Sequence, residues 1–270
     1  MSDLLVPRQL HESSGYITEF LNGGKMETKG LEIAAAVQPI QRRDFNWLSR
    51  VTFSTTKSTI TGLDVPAFET GGFGTSIGAF KIENGASATQ IVGNDTLSDG
   101  SVVVRKVGDA NPNFRMGFVN DFTVKSFTLH TVLDWQNGGS ILNLTKLLYD
   151  FGGVTVDYDH PISGSTETVG ERRLSAFGQV TRNWIESATF LKLREITLSY
   201  NLPVGVTGAL WRGARYAKVS VSARNLFLSA PYDGLDPEVS NFGNQPIARN
   251  IDVAPFPPSR SFWFTIDLGF

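Results

Sequence analysis

Cysteine is missing from the 270 residues. Disulfides, thiolate metal sites and cysteine nucleophiles are therefore excluded. Histidine is scarce: His11, His130 and His160 lie in different segments, without the spacing of a zinc site. No apolar run approaches the roughly 20 residues that a membrane-spanning helix needs. Neither sign of charge dominates. The 24 Lys and Arg against 26 Asp and Glu leave no basic footprint for nucleic acid or anionic lipid. Met1–Pro7 has no basic stretch and too short an apolar run for a signal peptide. The mean hydropathy of −0.08 is that of an average soluble chain. It also suits a membrane barrel, whose polar lumen face offsets its lipid face.

What is present is a two-residue period. In the last segment, Arg260–Phe270, Phe262, Phe264, Ile266, Leu268 and Phe270 fall on one face of an extended strand. Ser261, Thr265, Asp267 and Gly269 fall on the other, broken only by Trp263. The same alternation runs through Leu31–Val37, Phe45–Ser54, Phe114–Val124, Phe127–Gln136, Ile196–Tyr200 and Ala217–Arg224. That predicts about seven strands of roughly ten to thirteen residues, near the length of a tilted spanning strand. The connections alternate too. Those at 38–44, 125–126 and 201–215 are short, and those at 56–112, 137–188 and 227–259 are long and polar. A membrane barrel has this asymmetry of tight turns on one rim and long loops on the other.

The fold expected is therefore an all-β antiparallel transmembrane meander, its neighbours paired in chain order. Phe118, Leu133, Val221 and Ile266 should face lipid. Arg115, Asp134, Arg224 and Asp267 should face the lumen, together with Arg50, Asp121 and His130. Aromatics near strand ends, such as Trp47, Trp135 and Tyr200, would form interfacial girdles. Residues Leu142–Tyr149 have the pattern of a short helix within their loop. A soluble carbohydrate-binding β-sandwich, with the apolar faces packed together, is the alternative from another class.

Enzymatic patterns are weak. Asp157-Tyr158-Asp159-His160 lacks the glycine turn and terminal Glu of a calcium hand. Asn94-Asp95 and Asp99-Gly100 read as plain turns. Asp236 and Glu238 stand two apart without the cleft that a glycosidase acid and base require. Gly71-Gly72-Phe73-Gly74 opens no helix, and neither Ser165 nor Ser175 sits in a nucleophile elbow. No enzyme activity, cofactor or metal is expected.

Six motifs carry a resemblance. Ala188–Pro203, A-T-F-L-K-L-R-E-I-T-L-S-Y-N-L-P, resembles the "FLRLRNVTLGYTLP" strand of SusC/RagA-type TonB-dependent outer-membrane transporters. Ser222–Phe227 is similar to their "GRNLF" strand end, and Gly234–Val239 to their "GLDPEV" loop. Pro257–Arg260 stands where they have "YPQPR". Upstream, Asn22–Glu32 resembles "NIGKMENKGIE", and Val107–Phe114 resembles "IGDPNPDF". The resemblance covers nearly the whole chain, in the family's order. It implies that residues 1–270 are the C-terminal part of a barrel of about 22 strands. The signal peptide, N-terminal sandwich domain, TonB box and plug of the family would then lie outside this sequence. The chain would then be a split-gene product, a truncated gene with a mis-called start at Met1, or a non-functional remnant. The resemblance further implies an importer of glycans or peptides in the outer membrane of Gram-negative bacteria. TonB and a SusD-like surface lipoprotein would be its partners, outer-membrane lipid its surroundings, and Phe270 its assembly signal. Tyr149, Tyr158, Trp184 and Tyr232 are the loop aromatics on which a substrate could stack.

Overall fold

The computed structural model describes residues 1–242 and 250–270. Strand β1 (Leu4–Gln9) is followed by β2 (Thr18–Gln41) and β3 (Phe45–Leu63). Four shorter strands come next: β4 (Phe68–Gly72), β5 (Ala79–Ile82), β6 (Gln90–Thr96) and β7 (Val102–Asp109). The hairpin β8 (Phe114–Val124) and β9 (Phe127–Asn137) leads into β10 (Ser140–Asn143), α1 (Leu144–Phe151) and α2 (Val169–Ser175). The chain continues through β11 (Ile185–Ser187), β12 (Phe190–Asn201), α3 (Val204–Leu210) and β13 (Tyr216–Ser229). It ends with β14 (Ile251–Asp252) and β15 (Ser261–Gly269).

Eight strands form one sheet in the order β1-β2-β3-β8-β9-β12-β13-β15, each antiparallel to the next. The expected meander is present, with eight strands where the pattern predicted about seven. The additional strand is β1. Its run contains Pro7, which cannot donate to a ladder and so suits an edge, and among the described residues β1 pairs only with β2. Among the described residues, β15 pairs only with β13, so the sheet is open at both ends.

Register places the predicted faces on opposite sides. Phe118 pairs with Leu133, Val221 with Phe264 and Val219 with Ile266. On the other side Arg115 pairs with Gln136, Arg224 with Glu195 and Lys218 with Asp267. Because side chains alternate, one ladder of such pairs carries each face across the sheet. The apolar face is uncovered, with Phe262 71% and Phe264 66% exposed. Among the described residues no second sheet packs on it, as a sandwich would require. Cross-strand aromatic pairs line its two ends. Trp47 stacks on Phe122 (5.6 Å) and Phe127 on Tyr200 (4.5 Å) near the tight turns. Phe53–Phe114 (5.7 Å) and Phe114–Trp135 (4.9 Å) lie near the long loops.

The strands outrun the apolar band. The 24 residues of β2 span roughly 80 Å at about 3.3 Å per residue, against a hydrocarbon core of about 30 Å. Lys25, Glu27 and Lys29 continue the face of Leu31–Val37, so the band stops at Leu31. The far half of β2, with β1 and the end of β3, stands beyond it.

Two connections differ from expectation. The first tight turn shortens to 42–44 because β2 runs to Gln41. The 201–215 connection folds around α3. The long connections are not structureless: they build a cap with its own core. Strands β4-β5-β6-β7 form an antiparallel sheet, and β11-β10-β14 a second one in which β10 and β14 are parallel. Phe80, Ile91, Leu142, Leu147, Trp184 and Ile251 pack together between them. The loop helix begins two residues later than predicted. Leu142 and Asn143 belong to β10, and the Asn143 side chain caps α1 by accepting from the Lys146 amide.

Candidate functional site

The polar face of the sheet is wet and ion-paired. Arg50 donates to Asp121 (2.7 Å), and the His130 ring lies 2.6 Å from the other Asp121 oxygen. Arg115 donates to Gln136 (2.7 Å), Arg194 binds Asp134 (2.5 Å) and Arg224 binds Glu195 (3.0 Å). The four candidates Arg115, His130, Asp134 and Arg224 thus share one face, spread over the three strands β8, β9 and β13. Each has a side-chain partner from a neighbouring strand, which is how exposed charges stabilise a sheet laterally.

The tightest cluster joins this face to the cap. In β12 the register shifts between Leu193 and Glu195. The bulge lets Leu193 and Ile196 keep the apolar side while Lys192 and Arg194 both reach the polar side. Lys192 is buried, 6% exposed, and donates to Asp236 (2.7 and 2.8 Å) and to Glu238 (2.7 Å). Arg194 bridges Asp134 and Glu238. The Lys192 ammonium also lies 4.7 Å from the centre of the Phe190 ring. Burial works against charge on Glu238, but the hydrogen bonds from Arg194 and Lys192 outweigh it and pull its pKa down to about 2. Glu238, held ionised in this way, cannot serve as a general acid near neutrality. Through the bonds from Lys192, Asp236 and Glu238 clamp their loop to β12. Two of the motifs quoted above, one in a strand and one in a loop, are the two halves of this clamp.

The cap is tied by two further knots. Asp150, fully buried, accepts from Arg173 (3.0 Å), from the Trp184 indole (2.9 Å) and from Thr155. Its burial opposes ionisation, yet Arg173, Thr155 and Trp184 together lower its pKa. Arg173 also binds Asp157 at 2.6 Å. In the second knot Lys146 binds Glu186 (2.9 Å) and Asp233, while Asp252 accepts from the Tyr232 and Thr145 hydroxyls. Burial, then the bond to Asp252, raises the Tyr232 pKa.

The four loop aromatics do not converge on one platform. Trp184 is a core residue with no exposed surface, and Tyr232 is buried with its hydroxyl committed to Asp252. Both rings are therefore structural. Tyr158 packs against Gly170 of α2, where a β-carbon would come within 2.0 Å of the ring. Tyr149, half exposed, lines an open cavity of about 680 Å³ between α1, the 233–239 loop and 254–257. Sequence reasoning missed that cavity and the clamp. The clamp had a signal: two bases flanking Leu193 and two acids flanking Pro237. Of the turn acids, Asp95 binds Arg105 and Asp99 accepts from Ser101.

A polar cavity of about 430 Å³ opens where the clamp meets the sheet, lined by Thr55, Asn111, Arg115, Gln136, Glu238 and Asn250 among others. Phe270 lies just beyond β15 and is 76% exposed.

No family model matches the chain. Curated relatives do. TonB-dependent receptor P3 of Formosa agariphila is 29% identical over 314 aligned residues, covering 99% of this chain and 31% of the relative. TonB-dependent receptor P26 of the same organism is 23% identical, covering 100% and 32%. Among solved structures, a chain of the RagAB peptide transporter superposes with a TM-score of 0.73 at 18% identity, covering 100% of this chain and 32% of that one. The RagAB peptide importer in its closed-closed state gives 0.71 at 19%, with the same coverage. The chain thus spans about a third of the length of the relatives it matches. It is similar along its whole length to TonB-dependent receptors, and its eight-stranded antiparallel sheet has the fold of the matching third of the RagAB chain.

Proposed function

We propose that the chain supplies part of the barrel wall and outer loops of a TonB-dependent importer in a Gram-negative outer membrane. In this reading it forms the C-terminal strands, and the wall is completed by the remaining strands of a larger barrel. The observation that carries it is the amphipathic sheet: eight antiparallel strands, an uncovered apolar face and an ion-paired polar face. In water such a face would be an aggregation surface, whereas in lipid it is the buried one. The two open edges, whose backbone groups cost several kcal/mol each when unpaired in lipid, call for neighbours on both sides. The reading includes energy from TonB, a SusD-like surface lipoprotein over the loops, and glycans or peptides as cargo; the likeness to TonB-dependent receptors and to the RagAB peptide importer supports it. Arg115, His130, Asp134 and Arg224 would line the passage, Tyr149 would contact cargo at the loops, and Phe270 would mark the end of the barrel for assembly.

The test is to export the chain in a Gram-negative host and fractionate the membranes. The protein should sediment with the outer membrane and require detergent for extraction. A soluble, cooperatively melting monomer would overturn this reading and restore the sandwich.

A further inference from the structure

The open cavity beside Tyr149 has walls that are apolar and surroundings that are negative. Val156 and Phe256 are each 96% exposed, Leu235 is 71% and Val154 is 66%. They come from three separate segments of the cap and converge with Tyr149 on one concavity of about 680 Å³. Side chains of this size rarely cluster in the open unless something binds them. The polar residues among them are already committed. Asp157 is held by Arg173, Asp233 by Lys146, and Asp252 by two hydroxyls. The cavity therefore offers few free donors or acceptors of the kind a hydroxyl-rich sugar needs.

Its charge is unbalanced. Among the described residues, Arg173 serves two carboxylates, Asp150 and Asp157. Lys146 likewise serves Glu186 and Asp233. Among the described residues, Asp252 has hydroxyl donors but no cation. Each of these three groups leaves one negative charge over, and all three border the cavity through Asp157, Asp233 and Asp252. In a chain whose formal net charge is only −2, that is a local concentration of one sign. It favours a cation, and the walls favour an apolar body beside it.

We infer that this cavity binds the cationic, apolar end of a peptide, an ammonium or guanidinium group next to an aromatic or aliphatic side chain. The inference rests on the importer reading above and narrows its cargo to peptide. The apolar side chain fills the space between Leu235 and Phe256, and the positive group lies toward Asp233 and Asp157.

The test uses the full chain in detergent and a hexapeptide of alternating Lys and Phe, labelled at its C-terminus and followed by fluorescence anisotropy. Removing exposed apolar area weakens binding in proportion to the area lost. Leu235→Ala with Phe256→Ala should therefore weaken binding about tenfold or more. Asp233→Asn should weaken it about threefold, and that effect should fade at high salt. Because both wall residues are exposed, the variant keeps its fold, which amide-exchange protection across α1 verifies. Unchanged affinity in both variants overturns the inference. So does equal binding of a Glu-for-Lys peptide, or displacement of the probe by a neutral hexasaccharide. If the double variant binds peptide normally but loses a co-purifying lipoprotein, the cavity is a protein-docking surface and the inference is wrong. Failure of the importer reading would show separately, as a chain that stays soluble without detergent.

Discussion

Replacing Lys192 with methionine isolates the clamp between barrel wall and cap. Methionine keeps the length of the side chain and removes its charge. Lys192 is 6% exposed and makes three short charge-assisted hydrogen bonds to Asp236 and Glu238. Removing one partner from such a buried group strands the other, at a cost of about 3–5 kcal/mol. Arg194 remains on Glu238, so the loss falls mainly on Asp236, 7% exposed. The cost is local, since it undocks the 234–239 loop from β12 and leaves the sheet in place. Amide exchange there should speed up by roughly two to three orders of magnitude. The pH dependence gives the sign. Glu238 has its folded pKa depressed to about 2, so its contribution is complete above its unfolded value near 4.5. It is lost as pH falls toward 2, and amounts to at most about 3 kcal/mol. Wild type and K192M should therefore differ most near neutrality and converge in acid. Equal exchange at pH 7, or a difference that grows toward pH 3, would refute the clamp.

Three further outcomes follow from other parts of the fold. Val221→Lys places a charge in the middle of the apolar band and should cost about 2–4 kcal/mol in bilayer folding. Ser222→Lys, one residue away on the polar face, should fold with near wild-type yield in the same vesicles. Asp150→Asn weakens the contacts to Arg173 and Trp184 and should destabilise the cap by about 3 kcal/mol, seen as faster proteolysis at 152–168 with an intact sheet. Gly170→Ala drives a β-carbon into the Tyr158 ring, and overpacking of that kind costs about 1–3 kcal/mol, seen as faster exchange in α2.

The meander was readable because period and burial agree within it. On β8 and β9 every second residue from Phe114 to Trp135 is apolar except the facing pair Asn120 and Thr131, the turn between them is Lys125-Ser126, and two residues permit only a hairpin. Lys125 adopts the positive φ of 53° such a turn demands. Strand β1 was not among the period-two segments, because a single proline-bearing edge run is too short to show a period, although Leu4–Tyr16 resembles the family's strand-loop entry. In β12 the bulge broke the period, so Lys192 and Arg194 read as a charged start to the strand rather than as half of a clamp. The cap was invisible for a different reason. Its strands are short, its core is built from Phe80, Ile91, Leu142 and Trp184 over more than a hundred residues of separation, and no local pattern announces such contacts. The same distance misled the choice of loop aromatics. Trp184 and Tyr232 stand in polar stretches that look like surface, and only the tertiary fold shows them bonded to Asp150 and Asp252.

The division between barrel and cap also separates two kinds of constraint. In the sheet, each position answers to one of two solvents, so identity is set by parity and little else. That lets an alternating pattern persist while solved structures at 18% and 19% identity share the fold. In the cap, polar knots such as Asp150–Arg173–Asp157 replace parity. Each knot is buried or half-buried and specific to its partners, so a change at one member exposes the rest to a desolvation cost. The clamp belongs to both regions at once, since Lys192 and Arg194 obey strand geometry while Asp236 and Glu238 obey the loop. Sheet and cap also meet where Ile60 donates to Ala86, Ala88 to Ser58 and Gln136 to Ala188. The clamp differs from these contacts in burying charge, so at residues 192–194 and 236–238 the loss of one side chain strands its partner.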